Sequence, residues 1–188
     1  MTGDPHSSGD KAEVFDVSGK RCSDLEKFPV EVDGAFGALI YNHPVVCGGS
    51  DSSPVSSSKG CYRFDGSWGK VGDLSSDRYW STGLLLSNGS LWVMAGSGAG
   101  TETEILTFDQ SGALIGQRRG EDLPQAIDGL CAFDLGDSKA MIAGGWPKYT
   151  SSYIFNFESK TWEDGPTLKQ SRYYSACGTI IDQFTRKK

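Results

Sequence analysis

VVCGGS at residues 45–50 recurs, with changes, as VMAGSG at 93–98 and as MIAGGW at 141–146. The first glycines of these three segments, Gly48, Gly96 and Gly144, are separated by 48 residues each time. A period of this length indicates a repeated structural unit that stacks on its neighbours, because one such unit cannot bury its apolar faces alone. The repeat therefore predicts the fold class before any single residue is interpreted.

Each repeat is predicted to form four short antiparallel strands, here called a, b, c and d, with the glycine pair at the end of strand b. In the second repeat, apolar runs at 84–86 and 91–95 flank Asn88-Gly89, a dipeptide that favours a hairpin turn because both residues tolerate a positive φ. Strand c ends in an aromatic residue and an acid, as in Phe64-Asp65, and a tight turn leads to strand d. Helical periodicity is absent over any useful length, so we expect an all-β protein.

This combined pattern resembles the kelch repeat family. The resemblance consists of an apolar run that closes in a diglycine, an aromatic residue followed after six residues by a tryptophan, and an arginine ahead of strand a. The positions that carry these features are Gly48, Gly49, Gly144, Gly145, Phe155, Trp162, Arg78 and Arg172. The second repeat departs from the pattern with Gly96-Ser97. The resemblance covers residues 12–181 and implies four-stranded blades of a kelch-type β-propeller.

In such blades the repeated glycines and the tryptophans Trp68 and Trp162 have a structural role. Glycine at the end of strand b permits a backbone turn that a Cβ disfavours. Tryptophan on the outer strand d supplies a broad apolar surface for packing between blades. We therefore interpret these repeat positions as part of the scaffold.

The strand count indicates an incomplete ring. The chain opens with strands c and d near residues 13–22, continues through three full sets, and ends in one more strand a at 173–181. Because propellers close with four to eight blades, we expect about three full blades plus partial ones. By analogy with kelch proteins, the chain would be a fragment of a larger, six-bladed propeller.

The propeller segment is predicted at residues 12–182, between a polar tail at 1–11 and a basic tail at 183–188. The alternatives are a four-bladed ring completed by exchange between chains and an incomplete gene model. Self-association through unclosed propeller edges is a further expectation, because bare strand edges and apolar blade faces promote contacts between chains.

Composition excludes several classes of partner. The net charge of −6 argues against nucleic acid, which requires a basic face. No apolar run approaches the length of a membrane span. Residues 1–10 lack the apolar core of a signal peptide. We therefore expect a cytoplasmic location by default, and an extracellular one if the N-terminus is truncated.

Five cysteines are present, an odd number. Cys47 ends strand b and Cys61 lies in strand c of the same blade, so a disulfide between them is geometrically feasible in an extracellular setting. Cys131 and Cys177 occupy equivalent positions on successive a strands and are predicted to be free core residues. Without a close Cys-x-x-Cys pair, no zinc site is predicted.

No catalytic residues, cofactor or metal site are predicted, so the chain is interpreted as a non-enzyme. Copper-radical oxidases related to galactose oxidase share kelch-like blades and need histidine ligands. The sequence has two histidines, His6 in the tail and His43 in a short a-to-b turn, and these cannot form such a site. The sequon Asn88-Gly89-Ser90 permits glycosylation, although the hairpin turn explains it better.

Binding residues are expected on the long loops. In an antiparallel blade the a-to-b and c-to-d turns share one rim, here short, whereas the b-to-c and d-to-a loops share the opposite rim, here long and varied. Recognition usually lies in variable loops on a rigid scaffold, and aromatic and arginine side chains dominate interface energies. The partner-binding candidates are Trp146, Lys148, Tyr149, Arg118, Arg119, Arg78, Tyr79, Arg172 and Tyr173. The competing interpretation of Arg78 and Arg172, which repeat, is a structural hydrogen bond or ion pair.

Three functions remain open from the sequence. The first is a non-catalytic protein-interaction scaffold that binds a protein or peptide through its b-to-c and d-to-a loops. The second is a secreted or cell-surface kelch module that binds carbohydrate or protein. The third is a fragment of a galactose-oxidase-like copper enzyme, which requires histidine ligands encoded beyond this sequence.

Overall fold

The computed structural model describes residues 11–15, 18–52 and 55–175, and this part of the chain consists of β-strands and loops with no helix. Three sheets contain four antiparallel strands each, and in every one the strands lie side by side in chain order. Ahead of them, β1 (Glu13–Phe15) pairs with β2 (Arg21–Asp24), where strands c and d were predicted. The all-β prediction is confirmed.

The first sheet consists of β3 (Phe36–Ile40), β4 (His43–Cys47), β7 (Gly60–Phe64) and β8 (Trp68–Asp73). The second consists of β9 (Thr82–Leu85), β10 (Leu91–Met94), β11 (Glu104–Phe108) and β12 (Leu114–Arg119). The third consists of β13 (Cys131–Gly136), β14 (Lys139–Ala143), β15 (Ser152–Asn156) and β16 (Thr161–Asp164). The b-to-c loop of the first sheet carries an additional hairpin that was not anticipated, β5 (Ser50–Ser52) with β6 (Val55–Ser57).

The glycine repeat is shifted by one residue in the second sheet. Gly49 N–H donates to Arg78 O at 2.9 Å and Gly145 N–H donates to Arg172 O at 2.8 Å. The equivalent donor in the second sheet is Gly96, which bonds to Ile127 O at 3.2 Å. The second pair is therefore Ala95-Gly96, and the interpretation as Gly96-Ser97 is wrong.

The backbone angles agree with this corrected alignment. Gly48 and Gly49 have φ of 71° and 97°, Gly144 and Gly145 have 70° and 91°, and Ala95 and Gly96 have 64° and 96°. A left-handed backbone followed by a second positive φ thus ends strand b in all three sheets. Alanine holds the first position once, where the bond from the following residue is the longest of the three.

The core lies between neighbouring sheets, and β10 shows why. Leu91 and Val93 belong to the apolar cluster shared with the first sheet, whereas Trp92 and Met94 belong to the cluster shared with the third sheet. All four side chains are fully buried. Because successive side chains of a strand point to opposite faces, a strand that is apolar at every position needs a neighbouring sheet on each side.

In the first and third sheets, a tryptophan on strand d connects the sheet to the loop that precedes it. Trp68 packs edge-on against Phe28 at 4.8 Å between ring centroids, and its indole N–H donates to Glu26 O at 3.1 Å. Trp162 packs against Phe155 at 5.0 Å, and its indole N–H donates to Asp122 O at 2.9 Å. Both rings thus combine apolar packing with one satisfied donor, which suits a scaffold position.

A disulfide joins Cys47 to Cys61 with an S–S distance of 2.08 Å. The two residues face each other directly across β4 and β7, and both are buried. Cys131 is disulfide-bonded as well, so the prediction of a free thiol there is wrong. Cys177 lies outside the described residues.

Several predicted segments also lie outside the described residues. They are most of the N-terminal tail, the C-terminal tail at 183–188 and the part of the final strand a beyond residue 175. The described residues 171–175 form no strand. Among the residues that are described, no helix is long and apolar enough to cross a membrane.

The turn at the end of strand b gives a direct stability test. In Gly48→Ala, the added Cβ would lie 2.6 Å from Arg78 O at a φ of +71°. We expect the free energy of unfolding to fall by about 2 kcal/mol, since a left-handed alanine alone costs about 1–2 kcal/mol and the clash adds to it. Chemical denaturation measures the loss.

Gly66→Ala is the matched control. Gly66 has a φ of +79°, but a Cβ there meets nothing within 4 Å. The control should therefore lose only the conformational part of the stability. Equal losses in the two variants would show that the contact between sheets at Gly48 does not matter.

Candidate binding site at the long-loop rim

A chain of backbone hydrogen bonds links the starts of successive a strands. Trp80 N–H donates to Gly34 O at 2.8 Å, Gly129 N–H to Trp80 O at 2.8 Å, and Tyr174 N–H to Gly129 O at 2.9 Å. All four residues have a positive φ, between 52° and 65°. They are therefore equivalent positions, brought side by side where the d-to-a loops enter the sheets.

Small and large residues alternate along this chain. The tripeptides ending at the four positions are Val32-Asp33-Gly34, Arg78-Tyr79-Trp80, Ile127-Asp128-Gly129 and Arg172-Tyr173-Tyr174. A Cβ on Gly34 would lie 2.5 Å from Cδ1 of Trp80, and a Cβ on Gly129 would clash with the Tyr174 ring. The rings of Trp80 and Tyr174 thus lie over Gly34 and Gly129, in space that any larger residue at those positions would fill.

Five aromatic side chains form a continuous strip at this rim, named here the aromatic rim cluster: Tyr79, Trp80, Tyr149, Tyr173 and Tyr174. Trp80 contacts Tyr79 at 4.4 Å and Tyr174 at 4.6 Å between ring centroids. Tyr173 contacts Tyr174 at 4.8 Å and Tyr149 at 5.4 Å. Tyr173 and Tyr174 are about half exposed, at 54% and 49%. The strip therefore offers aromatic surface to a ligand.

Carboxylates accompany the rings. Asp128 precedes Gly129 and is half-buried, and burial raises the pKa of its carboxyl group. Burial also raises the pKa of the Tyr174 phenol, and the negative charge of Asp128 adds to this shift. Tyr174 therefore stays protonated at neutral pH.

The structure brings together four of the predicted partner-binding residues, leaves Lys148 in the same loop as two of them, and separates the arginines. Tyr79, Tyr149 and Tyr173 belong to the aromatic rim cluster. Trp146 lies beside it, 53% exposed, and its backbone bridges to Asp128. Lys148 lies exposed in the same b-to-c loop.

The arginine candidates lie elsewhere or point away. Arg118 and Arg119 end the outer strand β12, and Arg119 pairs with Asp122 at 2.8 Å. Arg172 is exposed, and its guanidinium donates to Ser171 O and to Gln170 Oε1, both at 2.9 Å. Arg119 and Arg172 are thus held by neighbours in sequence.

Arg78 is fully buried, with 0% exposure, so the surface contact predicted for it does not fit its position. Its guanidinium lies 3.0 Å from Glu104 Oε1 and donates to Ala95 O at 3.2 Å and to Glu102 O at 3.1 Å. Burial lowers the pKa of Arg78, and Glu104 partly offsets the effect. Arg78 therefore holds the Ala95 turn and strand c of the second sheet together. This is the structural ion pair that the sequence left as the alternative to a binding role.

Removing the partner of this buried charge should be costly. Glu104→Gln leaves the guanidinium of Arg78 uncompensated, and we expect a loss of about 3–5 kcal/mol in the free energy of unfolding. Chemical denaturation of Glu104→Gln, Arg78→Met and the double variant gives the coupling energy. Additive losses in the double variant would contradict a coupled pair.

No group of three or more His, Cys, Asp or Glu in residues 11–15, 18–52 and 55–175 is arranged to hold a metal ion. His43 begins β4 at the short-turn rim, remote in topology from the aromatic rim cluster. His6 lies outside the described residues.

The arrangement of the strands defines the class of fold. Three four-stranded antiparallel sheets that pack face to face are consistent with a β-propeller-like fold. No family model and no curated protein matches the sequence.

Among solved structures, that of YjhT is similar in fold. Its TM-score is 0.67 at 15% sequence identity, and the match covers 82% of this chain and 57% of YjhT. The chain thus spans little more than half the length of this structural neighbour. At such low identity the likeness concerns the fold alone.

Sequence reasoning missed Trp80, Tyr174 and Asp128. A signal for them exists in the alternation of Asp-Gly with Tyr-Trp or Tyr-Tyr ahead of strand a. Comparison of each repeat with the next conceals this alternation, because the pattern returns only every second repeat. Comparison of every second repeat would have found it.

Proposed function

We propose that this chain is a segment of a larger kelch-type β-propeller and acts as a non-catalytic protein-interaction scaffold. Its partner, a protein or peptide, binds at the long-loop rim. The observation that carries this proposal is the aromatic rim cluster, in which Tyr173 and Tyr174 are about half exposed. Backbone hydrogen bonds between successive a strands position the cluster. Tyrosine and tryptophan are the residues that most often dominate interface energies.

The chemistry of the cluster favours binding over catalysis. It presents ring faces and phenol groups. Burial raises the pKa of the Tyr174 phenol, so at neutral pH little of the phenolate that could act as a base or nucleophile is present. The cluster is also rigid, because Trp80 and Tyr174 each lie over a glycine that leaves no room for a side chain. Rigid aromatic anchors lose little conformational entropy when they bind.

Truncation of exposed rim side chains tests the proposal. We expect Trp146→Ala, Tyr149→Ala and Tyr173→Ala together to reduce partner labelling at least about tenfold in quantitative proximity labelling, since anchor residues contribute about 2 kcal/mol or more each. The labelled partner is then mixed with the purified full chain to measure the loss of affinity directly.

The matched control truncates exposed apolar residues of the first two sheets, with Leu39→Ala and Leu85→Ala, which are 58% and 44% exposed. These changes remove similar apolar area away from the long-loop rim. Labelling that is unchanged in the rim variant, or reduced equally in both, would refute rim binding.

The secreted or cell-surface alternative gains support from the cysteines. Cys47 and Cys61 form a disulfide and Cys131 is disulfide-bonded too. Disulfides persist in oxidising compartments and are rare in the cytosol. We therefore favour the extracellular form of the scaffold, on which Asn88 also lies exposed in its hairpin turn.

Mass spectrometry of the protein from its native source distinguishes the two locations. An extracellular protein should show the Cys47–Cys61 bridge without reduction and a glycan on Asn88 that Asn88→Gln removes and Ser90→Thr, which keeps the sequon, retains. Free thiols at both cysteines together with an unmodified Asn88 would assign the scaffold to the cytosol.

A further inference from the structure

The long-loop rim contains two carboxylates without a cationic partner. Asp33 and Asp128 occupy equivalent positions, each one residue before a glycine of the hydrogen-bonded chain. Both are half-buried. Within the described residues, no ion pair or side-chain hydrogen bond involves either carboxylate. A half-buried carboxylate that lacks a partner favours the approach of a positive charge.

The arginines of the tripeptides that end in Trp80 and Tyr174 do not meet this need. Arg78 is buried and pairs with Glu104 in the interior of its own sheet. Arg172 directs its guanidinium to Ser171 O and Gln170 Oε1. The positive charge that would complete the rim is therefore not supplied by these side chains, and a ligand can supply it.

The aromatic rings add a second attraction for a cation. Tyr174 N–H bonds to the carbonyl of Gly129, the residue that follows Asp128, so Tyr174 lies beside Asp128. Trp80 N–H bonds in the same way to Gly34, which follows Asp33. Ring faces attract cations, and the attraction strengthens when the site is partly desolvated. Together, the carboxylate and the ring faces favour a cation that can stack on a ring and form a salt bridge with the carboxylate at the same time.

The packing of the rings indicates which cation fits. Neighbouring centroids lie 4.4–4.8 Å apart along Tyr79, Trp80, Tyr174 and Tyr173, with interplanar angles of 43–62°. The rings contact each other and leave no gap between them that could enclose a compact ammonium group. A planar guanidinium can instead stack on the outer face of the strip and donate two hydrogen bonds to a carboxylate.

We propose that the aromatic rim cluster and Asp128 bind an arginine side chain of the partner protein, with the guanidinium stacked on Tyr174 and paired with the Asp128 carboxylate. Asp33 adds negative charge to the same rim. This inference rests on the proposed scaffold function and names the chemistry of the partner.

Blocked tripeptides test it on the full chain. The probes are acetyl-Gly-Arg-Gly-amide and the same peptide with citrulline, a neutral planar isostere of arginine. In an NMR titration we expect saturable shifts of the Trp80 indole N–H with the arginine peptide and binding at least about tenfold weaker with the citrulline peptide, because a charged hydrogen bond adds about 1.5–3 kcal/mol. Salt should weaken the arginine complex.

Variants locate the site. Asp128→Asn keeps the shape of the side chain and should weaken the arginine peptide about tenfold or more. Glu158→Gln makes the same change of charge in the c-to-d turn at the opposite rim and should have no effect. Thermal unfolding of each variant verifies the fold. Equal effects of the two variants would overturn the assignment to Asp128.

The remaining outcomes separate this inference from the scaffold function. Equal binding of arginine and citrulline peptides, equal binding of a lysine peptide, or no binding of the arginine peptide each overturns the inference. If partner labelling still depends on Trp146, Tyr149 and Tyr173 in those cases, the scaffold function stands and only the arginine assignment falls. If labelling is also unchanged, both fall.

Discussion

The structure depends on a backbone contact between sheets that requires a left-handed turn at the end of strand b. The N–H of Gly49, Gly96 or Gly145 can reach a carbonyl of the next d-to-a loop only because the residue before it adopts a φ of 64–71°. This bond ties each sheet to the loop that precedes the next one, and the apolar faces then pack between them. Without the turn, the strands would remain separate hairpins with exposed apolar faces, which are marginally stable.

The same contact positions the rim. Arg78 and Arg172 accept two of these bonds through their carbonyl groups, and the residues two positions later, Trp80 and Tyr174, carry rings of the aromatic rim cluster. Scaffold and candidate site are therefore made by one short segment: its backbone joins the sheets and its side chains line the rim. Buried Arg78 adds a third role, because its guanidinium holds the turn of the neighbouring strand.

The strands were predictable because their signals are local. Apolar runs, the Asn88-Gly89 turn and the aromatic-acid steps each lie within one hairpin, so the three four-stranded sheets follow from the sequence. The register of the second glycine pair did not follow, since Ala95 adopts a backbone conformation that usually indicates glycine. The bond to Ile127 and the positive φ of Ala95 distinguish Ala95-Gly96 from Gly96-Ser97, and neither can be read from the sequence. Arg78 was equally ambiguous, because the sequence of a loop does not say which side chains turn inward.

The alternation of glycine with an aromatic residue along the hydrogen-bonded chain has a consequence for ring closure. Gly34 and Gly129 are 95 residues apart, and Trp80 and Tyr174 are 94 apart, so the unit that repeats at the rim is a pair of blades. A closed ring preserves this alternation only with an even number of blades. With an odd number, two aromatic positions or two glycines would become neighbours where the first and last blades meet. An aromatic side chain would then have no glycine beneath it, or a glycine would have no aromatic side chain above it. The rim chemistry thus restricts how many blades such a ring can hold.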